Sequence, residues 1–267
     1  MDLTDIHTIK NILWKHHLWA KKGLGQNFLL DRSVLDTAIQ EADVNKEDTI
    51  VEIGPGLGTL TRELCKNAKQ VIACEIDRFI IPVLKETTKE FNNLQIEEIS
   101  GLKYYPYLKK YKIVANIPYY ITGKLLRHFL EEVENKPETI VLLVQKEVAE
   151  KITDTNLNLL AIGVQVFGKP TYIQTVKANS FYPVPKVESA LIKIEVYKKP
   201  IISVDIKDFF HLVHYCFQQR RKKLRSVLKG YAKISEENLK KIEKKIDLDL
   251  RPEKLSLKDW ENITQIL

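Results

Sequence analysis

Between Thr49 and Thr61 the chain reads TIVEIGPGLGTLT, an apolar run that meets an acid and passes straight into alternating glycines. Thr49-Ile50-Val51-Glu52-Ile53 has strand composition, and Leu60, Thr61 and Leu64 restart a helical pattern after Gly54, Gly56 and Gly58. The stretch therefore predicts a strand, a tight turn and a helix N-terminus in direct succession. Glycines are needed where the backbone takes positive φ or a ligand approaches closely, and the free N–H groups of the following helix favour negative charge. Such a loop is either a plain strand-to-helix turn or a cofactor cradle.

The spacing separates cofactors. A dinucleotide fingerprint needs G-x-G-x-x-G, but here the third glycine comes one residue early, as G-P-G-L-G. No G-x-x-x-x-G-K-[ST] occurs either, which removes the ATP phosphate loop. Val71-Ile72-Ala73-Cys74-Glu75 reads as a second strand, and its Glu75 follows the glycines by about twenty residues, where Rossmann-like sites place an acid on ribose hydroxyls. An adenosine cofactor without a pyrophosphate fits that pairing, which points to S-adenosylmethionine.

At 267 residues the chain has room for one large domain and a smaller one. Its net charge of +7 suits a polyanionic partner, and equally suits plain solubility. Cys65, Cys74 and Cys216 are far apart and form no C-x-x-C, so neither a disulfide framework nor a metal site is expected. No apolar run approaches the ~18 residues of a membrane span and no signal-peptide core is visible, so a cytoplasmic setting is the default.

Residues 1–22 carry Trp14, Trp19 and several basic side chains, and read as a short helix or an arm. Gly23 to Leu30 follow, then Asp31 as a helix N-cap ahead of an amphipathic run over Val34, Leu35, Ala38, Ile39 and Ala42. Gln26 and Asn27, just before that helix, could touch a ligand or merely close a turn. Beyond Glu75, a helix over 79–91 interrupted by Pro82, strands over 94–99, 112–115 and 139–144, and helices over 125–133 and 148–167 continue the alternation. This predicts an α/β fold with a mostly parallel sheet covered on both faces, binding at the carboxyl ends of its strands. Strands over 172–177 and 189–196 close it, and a small helical domain follows, broken near Gly230 and Pro252. The expected division is 1–22, 23–199 and 200–267.

At the end of the strand over 112–115 stands Asn116-Ile117-Pro118-Tyr119-Tyr120, the N-x-P-Y pattern of amino-group methyltransferases. An exocyclic amine on a base ring is a poor nucleophile because its lone pair is delocalised. Hydrogen bonds from that amine to the Asn116 oxygen and the Ile117 or Pro118 carbonyl favour a pyramidal nitrogen with its lone pair aimed at the methyl group. Pro118 fixes the backbone and Tyr119 offers a stacking face. The loop FYPVPK from Phe181 could close over the other face of a flipped-out base. Arg220, Arg221, Lys222, Lys223 and Arg225 form a basic cluster suited to phosphates, or a solvated helix end.

Together these stretches resemble the ribosomal RNA adenine N6,N6-dimethyltransferases, in the branch acting on small-subunit RNA. The resemblance runs from about residue 22 to Leu228, on GLGQNFL, EIGPGLGTLT, CEID, NIPYYI, VQKEVAEKI, FYPVPKVES and FQQRRKKLRSVL, in that order. It implies a Rossmann-like S-adenosylmethionine-dependent methyltransferase sheet with a small all-helical C-terminal domain that binds RNA. It also implies that Gln26, Asn27 and Leu29 hold the methionine end of the cofactor and that Gly54 and Gly56 lie against it. Glu75 takes the ribose and Asn116 stands between cofactor and substrate. The implied reaction is two methyl transfers to each of two adjacent adenines near the RNA 3′ end during ribosome assembly, by a monomer acting on the RNA or a pre-30S-type particle. One position departs from the pattern: Ser100 stands where the family usually has an aspartate that accepts a bond from the cofactor's adenine amine. Two other readings remain open at this point, a large-subunit RNA methyltransferase of the macrolide-resistance type and a non-catalytic RNA-binding assembly or transcription factor on the same fold.

Overall fold

The computed structural model describes residues 1–232 and 234–267. They form two packing units, Met1–Glu150 with Lys169–Val196, and Lys151–Gly168 with Tyr197–Leu267.

The first unit opens with helix α1 (Ile6–Lys15), capped by Asp5, whose carboxylate accepts from the N–H groups of His7 and Thr8. Its apolar stripe buries Ile9, Ile12 and Leu13 against Leu3, Phe28, Leu57, Ile80 and Val83. Each of those side chains contributes roughly 1.5–3 kcal/mol on burial, so the N-terminal segment is a docked helix rather than a loose arm. A two-residue strand β1 (Phe28–Leu29) follows, then α2 (Arg32–Glu41), begun by Asp31 as its N-cap.

The sheet core is β2 (Thr49–Ile53), β3 (Gln70–Cys74), β4 (Leu94–Glu97), β5 (Lys112–Asn116) and β6 (Thr139–Gln145). The helices between them are α3 (Thr59–Asn67), α4 (Ile81–Thr87) and α5 (Thr122–Arg127). Pro82 sits in the first turn of α4, where its missing N–H is harmless, so it starts that helix rather than interrupting it. The chain then runs through α6 (Lys146–Thr153), α7 (Leu159–Gln165), β7 (Gly168–Val176), β8 (Phe181–Tyr182) and β9 (Ser189–Val196). Spatial order is β4-β3-β2-β5-β6-β9-β7, parallel from β4 to β6, with β9 antiparallel to β6. Apart from their first residues, β2 and β3 are buried throughout, the mark of strands covered on both faces. The chain winds outward from β2 to β4 and then returns to β5 on the other side of β2. The order therefore reverses between β2 and β5, and a crevice opens above their carboxyl ends.

The second unit comprises 151–168 and the helices α8 (Ile206–Gln218), α9 (Leu224–Lys229), α10 (Glu236–Glu243) and α11 (Leu257–Ile266). These packing units differ from the division expected at 199/200 in one segment: residues 151–168 pack with the C-terminal helices. Their apolar residues face that way, with Phe167 and Phe210 stacked at 6.1 Å between ring centroids. Trp260 and Phe209 are fully buried there.

A carboxylate ties this unit together. Glu261 on α11 accepts from the Ser203 N–H at 2.7 Å, the Ser203 hydroxyl at 2.6 Å and Lys258 at 2.7 Å. The Lys258 and Ser203 bonds hold its pKa down at about 2. A carboxyl so depressed stabilises the fold fully above its unfolded value of 4.5, and the contribution is lost as pH falls towards 2. Glu261→Ala is expected to lower stability by about 2 kcal/mol at pH 7. Urea unfolding at pH 7 and at successively lower pH checks this, with the gap between wild type and variant closing as pH drops through that window.

Candidate active site

The crevice at the β2/β5 reversal is a cavity of about 290 Å³. Every residue expected to hold a cofactor lines it: Gln26, Asn27 and Leu29 from the segment around β1, Gly54 and Gly56 after β2, Glu75 after β3, Ser100 after β4, and Asn116 at the end of β5. Pro118 and Tyr119 line it too. Residues scattered over ninety positions meet because parallel strands all end on the same side.

Gly54 has φ +70°, and its N–H donates to the Cys74 carbonyl at 2.9 Å, which ties the loop to the end of β3. A Cβ on Gly54 would project toward the Pro118 ring 3.7 Å away and narrow the space between the two walls. Gly56, at φ +57°, turns its N–H onto Oε2 of Glu75 at 3.2 Å. Oε1 of the same carboxylate accepts from the N–H groups of Ile76 and Asp77, both at 2.8 Å. Burial raises the Glu75 pKa, and these three backbone donors oppose the rise. They fix the carboxylate's orientation and leave Oε2 with acceptor capacity facing the cavity.

Across the cavity, Asn116 donates from Nδ2 to the Asn27 carbonyl at 3.0 Å, so its Oδ1 is the free acceptor. Asn27 is itself held by a bond from Nδ2 to the Gly25 carbonyl at 3.1 Å. The Tyr119 hydroxyl pairs with Ser189 Oγ at 2.5 Å, and Ser189 is fully buried at the start of β9. Burial raises the Tyr119 pKa and the Ser189 bond opposes it, so the phenol is neutral and its ring fixed. Gln26 is a strut: its Nε2 donates to Asp77 at 3.0 Å and its Oε1 accepts from the Lys21 N–H at 2.9 Å, while Lys21 Nζ pairs with Asp77 at 2.8 Å. Ser100 Oγ caps the turn after β4 by accepting from the Leu102 N–H at 3.3 Å.

Phe181 is a correction. It does not line the cavity but lies in the hydrophobic core at 1% exposure, beside Leu29, Leu35 and Leu191. The cause is the β1–β8 ladder, which sets Leu29 opposite Phe181 and Phe28 opposite Tyr182. Side chains alternate across a strand, so one pair enters the core and the other joins the cluster under α1. A ring held this way offers no open face to a base.

The basic cluster lies in the second unit, where Arg220, Arg221, Lys222 and Lys223 are exposed between α8 and α9. Lys223 pairs with Asp249 at 3.2 Å, Arg225 with Glu243, and Lys222 bonds Gln219. Among the described residues Arg220 and Arg221 form no ion pair.

Three residues that matter for this geometry had no role assigned from sequence. Asp77 closes the CEID stretch and locks Lys21 and Gln26. Ser189 holds Tyr119 from seventy positions away, and no local pattern signals that. Glu52, also lining the cavity, is 1% exposed, and an acid inside an apolar strand was the visible sign of it. Among the described residues no cluster of His, Cys, Asp or Glu could hold a metal ion, and no helix is long and apolar enough to cross a membrane.

Known proteins resemble this chain in sequence and in fold. The chain is 38% identical to the ribosomal RNA small subunit methyltransferase A of Dehalococcoides mccartyi over 94% of its own length and 89% of that protein's. It is 37% identical to the Clostridium botulinum protein of the same name, over 97% of this chain and 98% of that one. Among solved structures, a dimethyladenosine transferase from Plasmodium falciparum matches with a TM-score of 0.76 at 27% identity, covering 88% of this chain and 95% of that one. A 23S rRNA methyltransferase matches with a TM-score of 0.70 at 26% identity, covering 90% of this chain and 99% of the other. The family model described as ribosomal RNA adenine dimethylase matches residues 18–267, and the chain belongs to that family of methyltransferases.

Proposed function

We propose that this enzyme uses S-adenosylmethionine to dimethylate N6 of two adjacent adenines near the 3′ end of small-subunit ribosomal RNA, during subunit assembly. The observation that carries this reading is the free Oδ1 of Asn116, held at the cavity edge by the bond from its own amide to Asn27. The cavity suits an adenosine donor: Gly54 keeps the space beside Pro118 clear, and the oriented Glu75 carboxylate is a ready acceptor for ribose hydroxyls. The donor supplies an electrophilic methyl group on a sulfonium. Asn116 Oδ1 and the Ile117 or Pro118 carbonyl accept from the adenine amine, which turns its lone pair out of conjugation. Tyr119, anchored by Ser189, gives the base a flat wall. No strong general base is needed, because attack makes the nitrogen acidic and its proton leaves afterwards. Phe181, buried beside Leu29, supports the wall from behind.

The small-subunit reading is supported over the large-subunit one by the relatives named small-subunit methyltransferase, which are the more similar in sequence. The basic stretch at Arg220 to Arg225 supplies phosphate contacts, with Arg220 and Arg221 the most available. A non-catalytic scaffold would have no use for an Asn116 oriented in this way.

Labelled donor and under-methylated small subunits test the reading: two neighbouring adenines are expected to gain two methyl groups each, read by mass spectrometry of the digested RNA. Label in large-subunit RNA, or RNA bound without label, would sink it. Asn116→Ala is expected to bind RNA as wild type does while turnover falls on the order of 10²-fold; unchanged turnover removes that residue from the mechanism. At Ser100 the donor's adenine meets a neutral acceptor, and a charge-assisted bond is roughly twice as strong. Ser100→Asp is expected to tighten donor binding by about fivefold in calorimetry, and no tightening would count against Ser100 facing the adenine.

A further inference from the structure

Glu52 is the one carboxyl in the cavity wall that the proposed mechanism leaves without work. It lies on β2 opposite Ala73 of β3, two residues before Gly54. Its side chain lines the cavity, yet the residue is only 1% exposed and Oε2 has no hydrogen-bond partner. The Thr61 hydroxyl on α3 faces it without closing to hydrogen-bond distance, and its nearness offsets only part of the cost of burying the carboxyl. An ionised carboxylate buried without a partner is expensive, and such a group takes up a proton instead.

Among the described residues no positive group faces it. From β3 and the turn after it come Cys74 and Glu75, and from α3 come Thr61 and Cys65. Burial pushes both thiols up to about 12, so they stay neutral, and Glu75 adds a like charge. Arg62 and Glu63 on α3 are engaged elsewhere, with Glu90 and with Arg32. Asn116 of β5, across the cavity, carries no charge.

We infer that Glu52 is a proton-linked counter-charge for the donor: it is a neutral acid while the cavity holds no cation, and it releases its proton to solvent when a positively charged ligand enters. The inference rests on the cavity being the donor site, since the methionine end of that donor carries a sulfonium and an ammonium. The step balances: the carboxyl O–H bond breaks, the proton goes to water, and the carboxylate left behind faces the incoming positive charge. An opposite charge within about 4–6 Å lowers a carboxyl pKa by one to three units. In the free chain burial, opposed by the Thr61 hydroxyl and helped by the neighbouring Glu75, holds Glu52 up at about 8. At neutral pH the free form therefore holds the proton, and the occupied form gives it up. Donor affinity rises with pH, by up to tenfold per unit, between the lowered pKa of the occupied form and about pH 8, and is flat on either side. Glu52 acts here as a positioning residue for the donor's charge and touches no reacting atom.

Titration calorimetry of the donor into the full chain at pH 7, in buffers of different ionisation heat, counts the protons released. Wild type is expected to release up to one more proton than Glu52→Gln, and its affinity to climb with pH relative to that variant. The difference between the two cancels any proton from the donor's own amine. Equal release from both overturns the inference. S-adenosylhomocysteine, which lacks the sulfonium charge, tells which cation is sensed: release is smaller for it if the sulfonium counts. A second measurement needs neither ligand nor variant folding: difference infrared spectroscopy of the free wild type across pH 6–10 should show a protonated buried carboxyl disappearing near pH 8. Its absence overturns the inference even if the donor binds. Failure of the donor to bind wild type, with that carboxyl band present, overturns the cavity's assignment as the donor site instead.

Discussion

The pairing of β2 with β3 on one side and β5 on the other is the constraint from which the site follows. Because both pairings are parallel, the turns after β2, β3 and β5 all rise from the same edge, and the reversal of strand order leaves a gap that no connection crosses. Gly54, Glu75 and Asn116 each come immediately after, or at the end of, one of those strands. A one-residue slip in β5 would turn Asn116 to the opposite face and remove the oriented acceptor. The near-continuous burial of these strands is thus what fixes the chemistry above them.

Floor and walls differ in how they are held. The floor is made by backbone: three N–H groups orient Glu75, and the loop glycines fold around it. The walls are held by side chains from far along the sequence. Asp77 clamps the segment 21–26, Asn27 receives the amide of Asn116, and Ser189 holds Tyr119. A backbone nest responds little to substitution at a single side chain, whereas each wall depends on one or two bonds. Catalytic geometry is therefore exposed to change at residues outside the cavity lining, Asp77 and Ser189 among them.

What could be read from the sequence divides along the same line. The glycine spacing, the acid about twenty residues on and N-x-P-Y are local patterns, and all three converge on one cavity. The strand-helix alternation gave the parallel sheet because each parallel strand is a short apolar run. Phe181 is harder to place, because an aromatic in a proline-rich loop looks exposed and only its ladder partner Leu29 reveals that it points inward. The packing units depart from the expected division for a related reason. Residues 151–168 precede two more strands in sequence, and nothing local says that their apolar face belongs with α8. Ser189 belongs to the FYPVPKVES stretch, but its bond to Tyr119 spans seventy positions and has no spacing to betray it.

The charge balance of the cavity argues for a cationic ligand independently of the family. Two buried carboxyls, Glu52 and Glu75, stand in its wall, and each raises the cost of ionising the other. Glu75 has three backbone donors to offset its burial and Glu52 has none, so the pair divides into a fixed acceptor and a group poised to titrate. A neutral ligand could use the Glu75 acceptor but would leave Glu52 unrelieved, and an anionic one would be repelled. A ligand with a sugar hydroxyl pair at one point and a positive charge at another relieves both strains at once, the first by donating to Glu75 and the second by stabilising an ionised Glu52.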